Sequence, residues 1–388
     1  MGHLGGIIVR QRRWTAMLAM TATAACVAPA PPPPPAAAAR PPAQASAPSI
    51  RQLPPGQVAS HAPSSLERRI VELGRSFSGS VGIAVRDVSD GWTVGYNADR
   101  PMPQQSVSKL WVAMTALDAV DRGGLSLQEP VTVTRDNLTV FHQPVRAMMG
   151  PNGYATSYGE LMRIAMTQSD NTCNDMVLRR AGGPTAVRSM IERKGLGRIA
   201  FGPGETLLQS GIAGMTWRPE YAHNNGFRTA RAAIPYAQRQ AAMDRYLADP
   251  MDGASAEAIA GALARLQRGE LLSPASTSRL LGLMRQSRTG PQRLRGGLAP
   301  GWVLAHKTGT GQDFAGLSTG YNDVGVITAP DGRSYAVAVM IASTRQSIPA
   351  RQQLMNEVVR AVIASHGWNG RTPVMVSSAT PPAGGIDQ

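Results

Sequence analysis

The order in which hydrophobic periodicity changes along residues 64–365 constrains this chain more than any other feature. Ser64 to Phe77 carries Leu66, Ile70, Leu73 and Phe77 near one helical face and opens with Ser64-x-x-Glu67, a capping-box pattern. Val81 to Asp87 and Trp92 to Asn97 read as short strands around the turn signal Asp90-Gly91. Helical patterns follow at Ser106 to Val120, at Ser157 to about Gln168 behind a second capping box, and from near Cys173 to Gly182-Gly183. Two more lie at Ala256 to Gln267 and Ser276 to Arg285. Strand patterns return at Val303 to Lys307, Val324 to Thr328 and Tyr335 to Ile341, and Gln352 to Ser365 closes as a helix. Strands at both ends can share one antiparallel sheet only if the chain returns on itself. The expected fold class is therefore α/β, with an antiparallel sheet formed by N- and C-terminal segments packed on a mostly helical subdomain. Ala200 to Gly253 lacks a clean period and reads as a long loop with some short helix.

Outside 64–370 the composition changes. Arg10, Arg12 and Arg13 precede a short apolar stretch from Trp14 to Ala25, so residues 1–26 read as an export signal. Thr23-Ala24-Ala25-Cys26 resembles a lipoprotein cleavage box with Cys26 as the lipidated residue; cleavage at the small residues near Ala24 to Ala28 is the alternative. Residues 27–63 form a Pro/Ala-rich linker that favours extended polyproline geometry, and 371–388 read as a disordered tail. The expected location is periplasmic or secreted, with Cys26 as a candidate membrane anchor. No apolar run reaches the roughly 20 residues a spanning helix needs.

The net charge is +14, but its Arg residues are scattered and no basic run fits a groove, so nucleic acid is not an expected partner. The six His show no metal-ligand spacing, and no metal or other cofactor is expected. A monomer is expected. Among 39 basic residues only Lys109, Lys194 and Lys307 are Lys. Lys can lose its proton when desolvated, whereas a guanidinium cannot, so these positions merit inspection.

Three short motifs carry chemistry. Ser106-Val107-Ser108-Lys109 begins an apolar helix, and its spacing of three puts Ser106 and Lys109 on one face. A Ser at a helix start suits a nucleophile that generates an oxyanion, and a neutral Lys beside it can accept the Ser proton. Ser169-Asp170-Asn171 offers a second hydroxyl for proton relay and an amide for substrate. Lys307-Thr308-Gly309-Thr310-Gly311 ends a strand and offers an ammonium and hydroxyls to an anionic carboxylate. Each motif alone is common; their joint occurrence in this order is not.

The set resembles the penicillin-recognising serine hydrolases, and specifically the class A β-lactamases, over roughly residues 64–367. The resemblance implies hydrolysis of a small-molecule β-lactam: Ser106 as nucleophile, Lys109 and Ser169 moving protons, Asn171 holding the side-chain amide, and Lys307, Thr308 and Thr310 holding the carboxylate. It also implies a deacylating Glu on an Ω-type loop. Arg218-Pro219-Glu220-Tyr221-Ala222-His223-Asn224 fits as Arg-x-Glu-x-x-x-Asn, which assigns that role to Glu220, with Asn224 helping to hold the water. Glu205 is the nearby rival but lacks the flanking Arg and Asn. Asp252 falls where the family places the loop's Arg–Asp clamp, pairing with Arg218 across an insertion of about 228–250. Asp175 adds a carboxyl near the loop Glu. The bridge that joins the position before the nucleophile to the one after Lys-Thr-Gly in some relatives is absent, since those places are Gln105 and about Gly311. The whole reading requires a loop carboxyl within reach of a solvent molecule bridging to Ser106. A peptidoglycan D,D-peptidase shares the first three motifs without the Glu, and a non-catalytic wall-binding module would not be acylated.

Overall fold

A computed structural model describes residues 61–367. The expectations for the leader, for Cys26, for the linker before residue 61 and for the tail lie outside the described residues.

The chain begins with α1 (Ser64–Ser76), β1 (Ser80–Asp87), β2 (Thr93–Tyr96) and β3 (Met102–Pro103). A 3-10 turn, Gln105–Ser108, leads into α2 (Lys109–Asp121). β4 (Pro130–Val133) and β5 (Tyr154–Ser157) form a small antiparallel pair. Then come α3 (Tyr158–Thr167), α4 (Asn171–Arg180), α5 (Gly183–Arg193), α6 (Glu205–Ala213), α7 (Gly226–Ala233) and α8 (Tyr236–Ala248). β6 (Gly253–Ala254), α9 (Ala256–Gln267) and α10 (Pro274–Arg285) return the chain to the sheet. The sheet is completed by β7 (Val303–Gly309), β8 (Asp313–Phe314), β9 (Leu317–Thr328) and β10 (Ser334–Thr344), and α11 (Ile348–Ser365) closes the fold.

The main sheet runs β2-β1-β10-β9-β7, with β8 on β9, and all its pairs are antiparallel. β1 from the start lies against β10 from the end, as the split strand pattern required. β10 shows how the layers divide. Ala336, Ala338 and Met340 face the helical core, whereas Val337, Val339 and Ile341 face the cluster formed with α1 and α11. Period-two alternation puts small residues on one face, and α9 packs there against β1, β9 and β10. α2 lies inside the helical layer; Leu110 to Asp118 are all buried, as an all-round apolar helix requires.

Local signals hold unevenly. Ser157 caps α3 by accepting from Glu160 N at 3.3 Å. Ser64 does not cap α1: Pro63 is the N-cap, with no side-chain cap. The region 200–253 is far more helical than its sequence indicates. In α8 only Ala242, Met243 and Tyr246 are buried, and in α6 the apolar anchors Leu208 and Ile212 are interrupted by Ser210 and Gly211. Such narrow stripes dilute the amphipathic signal, and tertiary packing supplies the rest.

Ile83, on β1, is fully buried against the outer helices. Ile83→Ala is expected to cost about 2–5 kcal/mol, read as a lower urea midpoint at unchanged slope.

Candidate active site

The buried helix α2 fixes the site's first two groups. Ser106 sits in the 3-10 turn before it and Lys109 is its first residue. Lys109 is 1% exposed, and its Nζ lies 2.8 Å from Ser106 Oγ, 2.8 Å from Asn171 Oδ1 and 3.6 Å from Glu205 Oε2. Two of the three ammonium donors are hydrogen-bonded, and Glu205 pairs with the charge at slightly longer range. Asn171 opens α4, and its Nδ2 donates to Val140 O at 2.8 Å. Asp170 is the N-cap of α4, accepting from Cys173 N, and is structural.

β7 brings the third motif. Lys307 Nζ donates to Ser169 Oγ at 2.9 Å and to Thr308 O at 2.8 Å. Burial, then the Lys109 and Arg293 cations, push the Lys307 ammonium well below the ordinary lysine value. Thr308 and Thr310 line the same cavity as Ser106, Ser169 and Asn171, with a volume of about 480 Å³. A Cβ at Gly309 would collide with the Gln104 carbonyl, so the strand must be bare where it passes the nucleophile's turn. Arg293 was not singled out by the sequence. It donates to Gly309 O (3.0 Å), Asn322 O (2.7 Å) and Thr310 Oγ1 (2.6 Å), and lies 3.7 Å over the Tyr321 ring. Among 36 Arg, nothing in its flanks marks it.

The loop carboxyl is a correction. Glu220 is 64% exposed and its nearest cation is Arg218, at 3.9 Å; neither Glu220 nor the exposed Asn224 lines the cavity. Glu205 does line it, is 9% exposed and faces Lys109. The Arg-x-Glu-x-x-x-Asn match fell on a surface 3-10 turn, Pro219–Ala222. The usable signal was Gly202-Pro203-Gly204, a break that starts α6 with Glu205 at its first position, where the helix dipole favours an anion. Gln209, one turn on, takes a place in the wall that Asn224 was expected to hold.

The Arg218–Asp252 clamp is also absent. Asp252 is buried and accepts from Gln105 N (2.7 Å) and from Oη of Tyr246 on α8 (2.9 Å). Gln105 Nε2 donates to Tyr246 Oη at 2.5 Å, Gln209 Nε2 donates to Gln105 Oε1 at 2.9 Å, and Gln312 Nε2 donates to Gln209 Oε1 at 2.9 Å. This chain of amides joins Gln105 to Gln312, the neighbour of Gly311. It also holds Gln105 in the left-handed region at φ 53°, next to the nucleophile. Ser169, at φ 62°, is likewise constrained.

His306 does not face the cavity; its Nδ1 lies 2.8 Å from Asp323 Oδ1, both fully buried. Cys173 is a buried core residue, its thiol raised by burial and by Asp170. His142 and Phe141 line the cavity. Among the described residues no cluster of three His, Cys, Asp or Glu could hold a metal.

Two measurements follow from these buried carboxyls. Burial and then Glu205 raise Asp175 to about 6, against Lys109, which acts the other way. The folded protein therefore holds a proton the unfolded chain has lost between about pH 4 and 6, and stability falls as pH rises through that window. Asp175→Asn is expected to stabilise by up to about 3 kcal/mol at pH 7.5 and by little at pH 4, read from melts at both. Tyr246→Phe leaves Asp252 and Gln105 short of a partner, with an expected loss of about 1–3 kcal/mol in urea unfolding.

Comparisons with known proteins bear on this geometry. A profile of the β-lactamase enzyme family matches residues 65–365. The chain is 29% identical over 282 residues to the extended-spectrum β-lactamase PER-1 of Pseudomonas aeruginosa, covering 72% of this chain and 80% of that one. It is 24% identical over 306 residues to β-lactamase VEB-1 of the same organism, covering 79% and 90%. A crystal structure of a β-lactamase from Chitinophaga pinensis superposes with a TM-score of 0.64 at 28% identity, covering 77% of this chain and 98% of that one. An ancestral class A β-lactamase gives 0.60 at 28% identity, covering 77% and 99%. With its sheet, its motif order and its family match in agreement, the chain belongs to the β-lactamase enzyme family, as a class A member.

Proposed function

We propose that this β-lactamase works through an acyl-enzyme on Ser106, and that Glu205 activates the water that releases it. The observation that carries the reading is the Lys109 ammonium, held between Ser106 Oγ at 2.8 Å and Glu205 Oε2 at 3.6 Å. Ser106 Oγ bonds to the lactam carbonyl carbon while its proton passes to Glu205, or to Lys109 once the ammonium has given a proton to Glu205. The ring C–N bond then breaks, and Ser169, hydrogen-bonded to Lys307, protonates the nitrogen. Backbone N–H groups of Ser106 and Thr310 hold the oxyanion, a role worth about 100- to 1,000-fold per donor. Lys307, Thr308, Thr310 and Arg293 receive the ring carboxylate, and Asn171 the side-chain amide. Glu205 takes a proton from water, which attacks the ester and frees Ser106. A buried carboxyl beside the nucleophile speaks against a D,D-peptidase, which has no need of one. Export to the periplasm or medium completes this reading and rests on the leader alone.

Mass spectrometry after mixing with benzylpenicillin separates the steps. Glu205→Ala is expected to hold an adduct of one intact penicillin and to turn over about 100- to 10,000-fold more slowly. Glu220→Ala is expected to hydrolyse as the wild type does, and Ser106→Ala to form no adduct. Normal turnover by Glu205→Ala would remove the water-activating role.

A further inference from the structure

The hydrolytic reading uses one cationic cluster, around Lys307 and Arg293. A second cation enters the same cavity from α7. Arg231, on α7, lines the wall with Ser106 and Asn171 and is partly buried. Its Nη1 donates to Gln312 Oε1 at 2.8 Å. Gln312 is itself fixed, since its Nε2 donates to Gln209 O (2.8 Å) and Gln209 Oε1 (2.9 Å). On its other side the guanidinium stands 5.6 Å over the ring of Phe141, which packs edge-on against Phe227 of α7 at 4.9 Å. The group is thus oriented before any ligand arrives, which lowers the cost of binding.

Arg231 makes no ion pair with any described residue, and one hydrogen bond leaves most of its five donors available. Its charged surroundings are mainly positive. Arg239 and Arg228 act on it from α8 and α7, with Asp313 acting the other way; Glu205 lines the same cavity. Burial and these two cations lower its proton affinity. A partly desolvated guanidinium in such a setting gains most from an anion.

We propose that Arg231 forms a subsite for an anionic group on the acyl side chain of the β-lactam, separate from the cluster that holds the ring carboxylate. The subsite rests on the proposed function. It makes α7 a specificity element: substrates carrying a second carboxylate, on the amide side, are preferred.

Benzylpenicillin and carbenicillin test this, because they differ only by a side-chain carboxylate. In Arg231→Gln the carbenicillin-to-benzylpenicillin ratio of kcat/KM is expected to fall about tenfold, chiefly through the KM of carbenicillin. A fall of less than about threefold overturns the subsite. So does an equal fall in Arg228→Gln, which would mean a long-range field rather than a contact. Wild-type enzyme gives a reading that needs no variant: carbenicillin should have the lower KM, with the steeper rise on adding salt. A higher KM for carbenicillin overturns the subsite. If the wild type hydrolyses neither penicillin, the proposed function fails; if it hydrolyses both with an unchanged ratio in Arg231→Gln, only the subsite does.

Discussion

A buried ammonium is the constraint on which the rest of the site depends. Lys109 is almost wholly out of water, and an unpaired charge there would cost several kcal/mol. It is tolerated because three oxygens meet it, from the turn before α2, from the start of α4 and from the start of α6. Those elements lie far apart in sequence, so satisfying one cation aligns nucleophile, amide and carboxyl together. The same convergence places Asp175 beside Glu205, and burial, followed by the nearby Glu205, leaves a carboxyl that resists ionisation.

A second buried lysine repeats the logic at higher cost, because among the described residues no carboxylate pairs with it. Lys307 is buried against Ser169 Oγ and its own strand, with Lys109 and Arg293 nearby. Crowded cations raise the potential of the cavity, which favours an anionic substrate. Catalysis and recognition thus share one electrostatic arrangement, formed where β7 passes the end of α2.

Helices α7 and α8 are tied into the cavity wall by side-chain hydrogen bonds. Instead of an Arg–Asp clamp, Tyr246 from α8 donates to Asp252, and a run of Gln side chains ties the nucleophile's turn to the strand end. A neutral amide chain avoids burying a further guanidinium. It also couples α7 and α8 to the cavity wall, so a segment that reads as a loop shapes which molecules fit.

The sequence by itself determined the sheet's closure, because period-two runs at both ends leave few other ways to bury their apolar faces, and it determined the order of Ser106, Lys109, Ser169, Asn171, Lys307 and Thr310. Those motifs are local, with spacing that survives as helix or strand geometry. Only the tertiary structure decided which acid lines the cavity beside Lys109. Glu205 and Glu220 are chemically equivalent on paper, and flanking residues favoured Glu220. The choice depends on where α6 starts relative to α2, which no short window encodes. Arg293, Tyr246 and the Gln chain were hidden for the same reason: their roles come from partners dozens of residues away, and a side chain's chemistry is set by the neighbours that folding gives it.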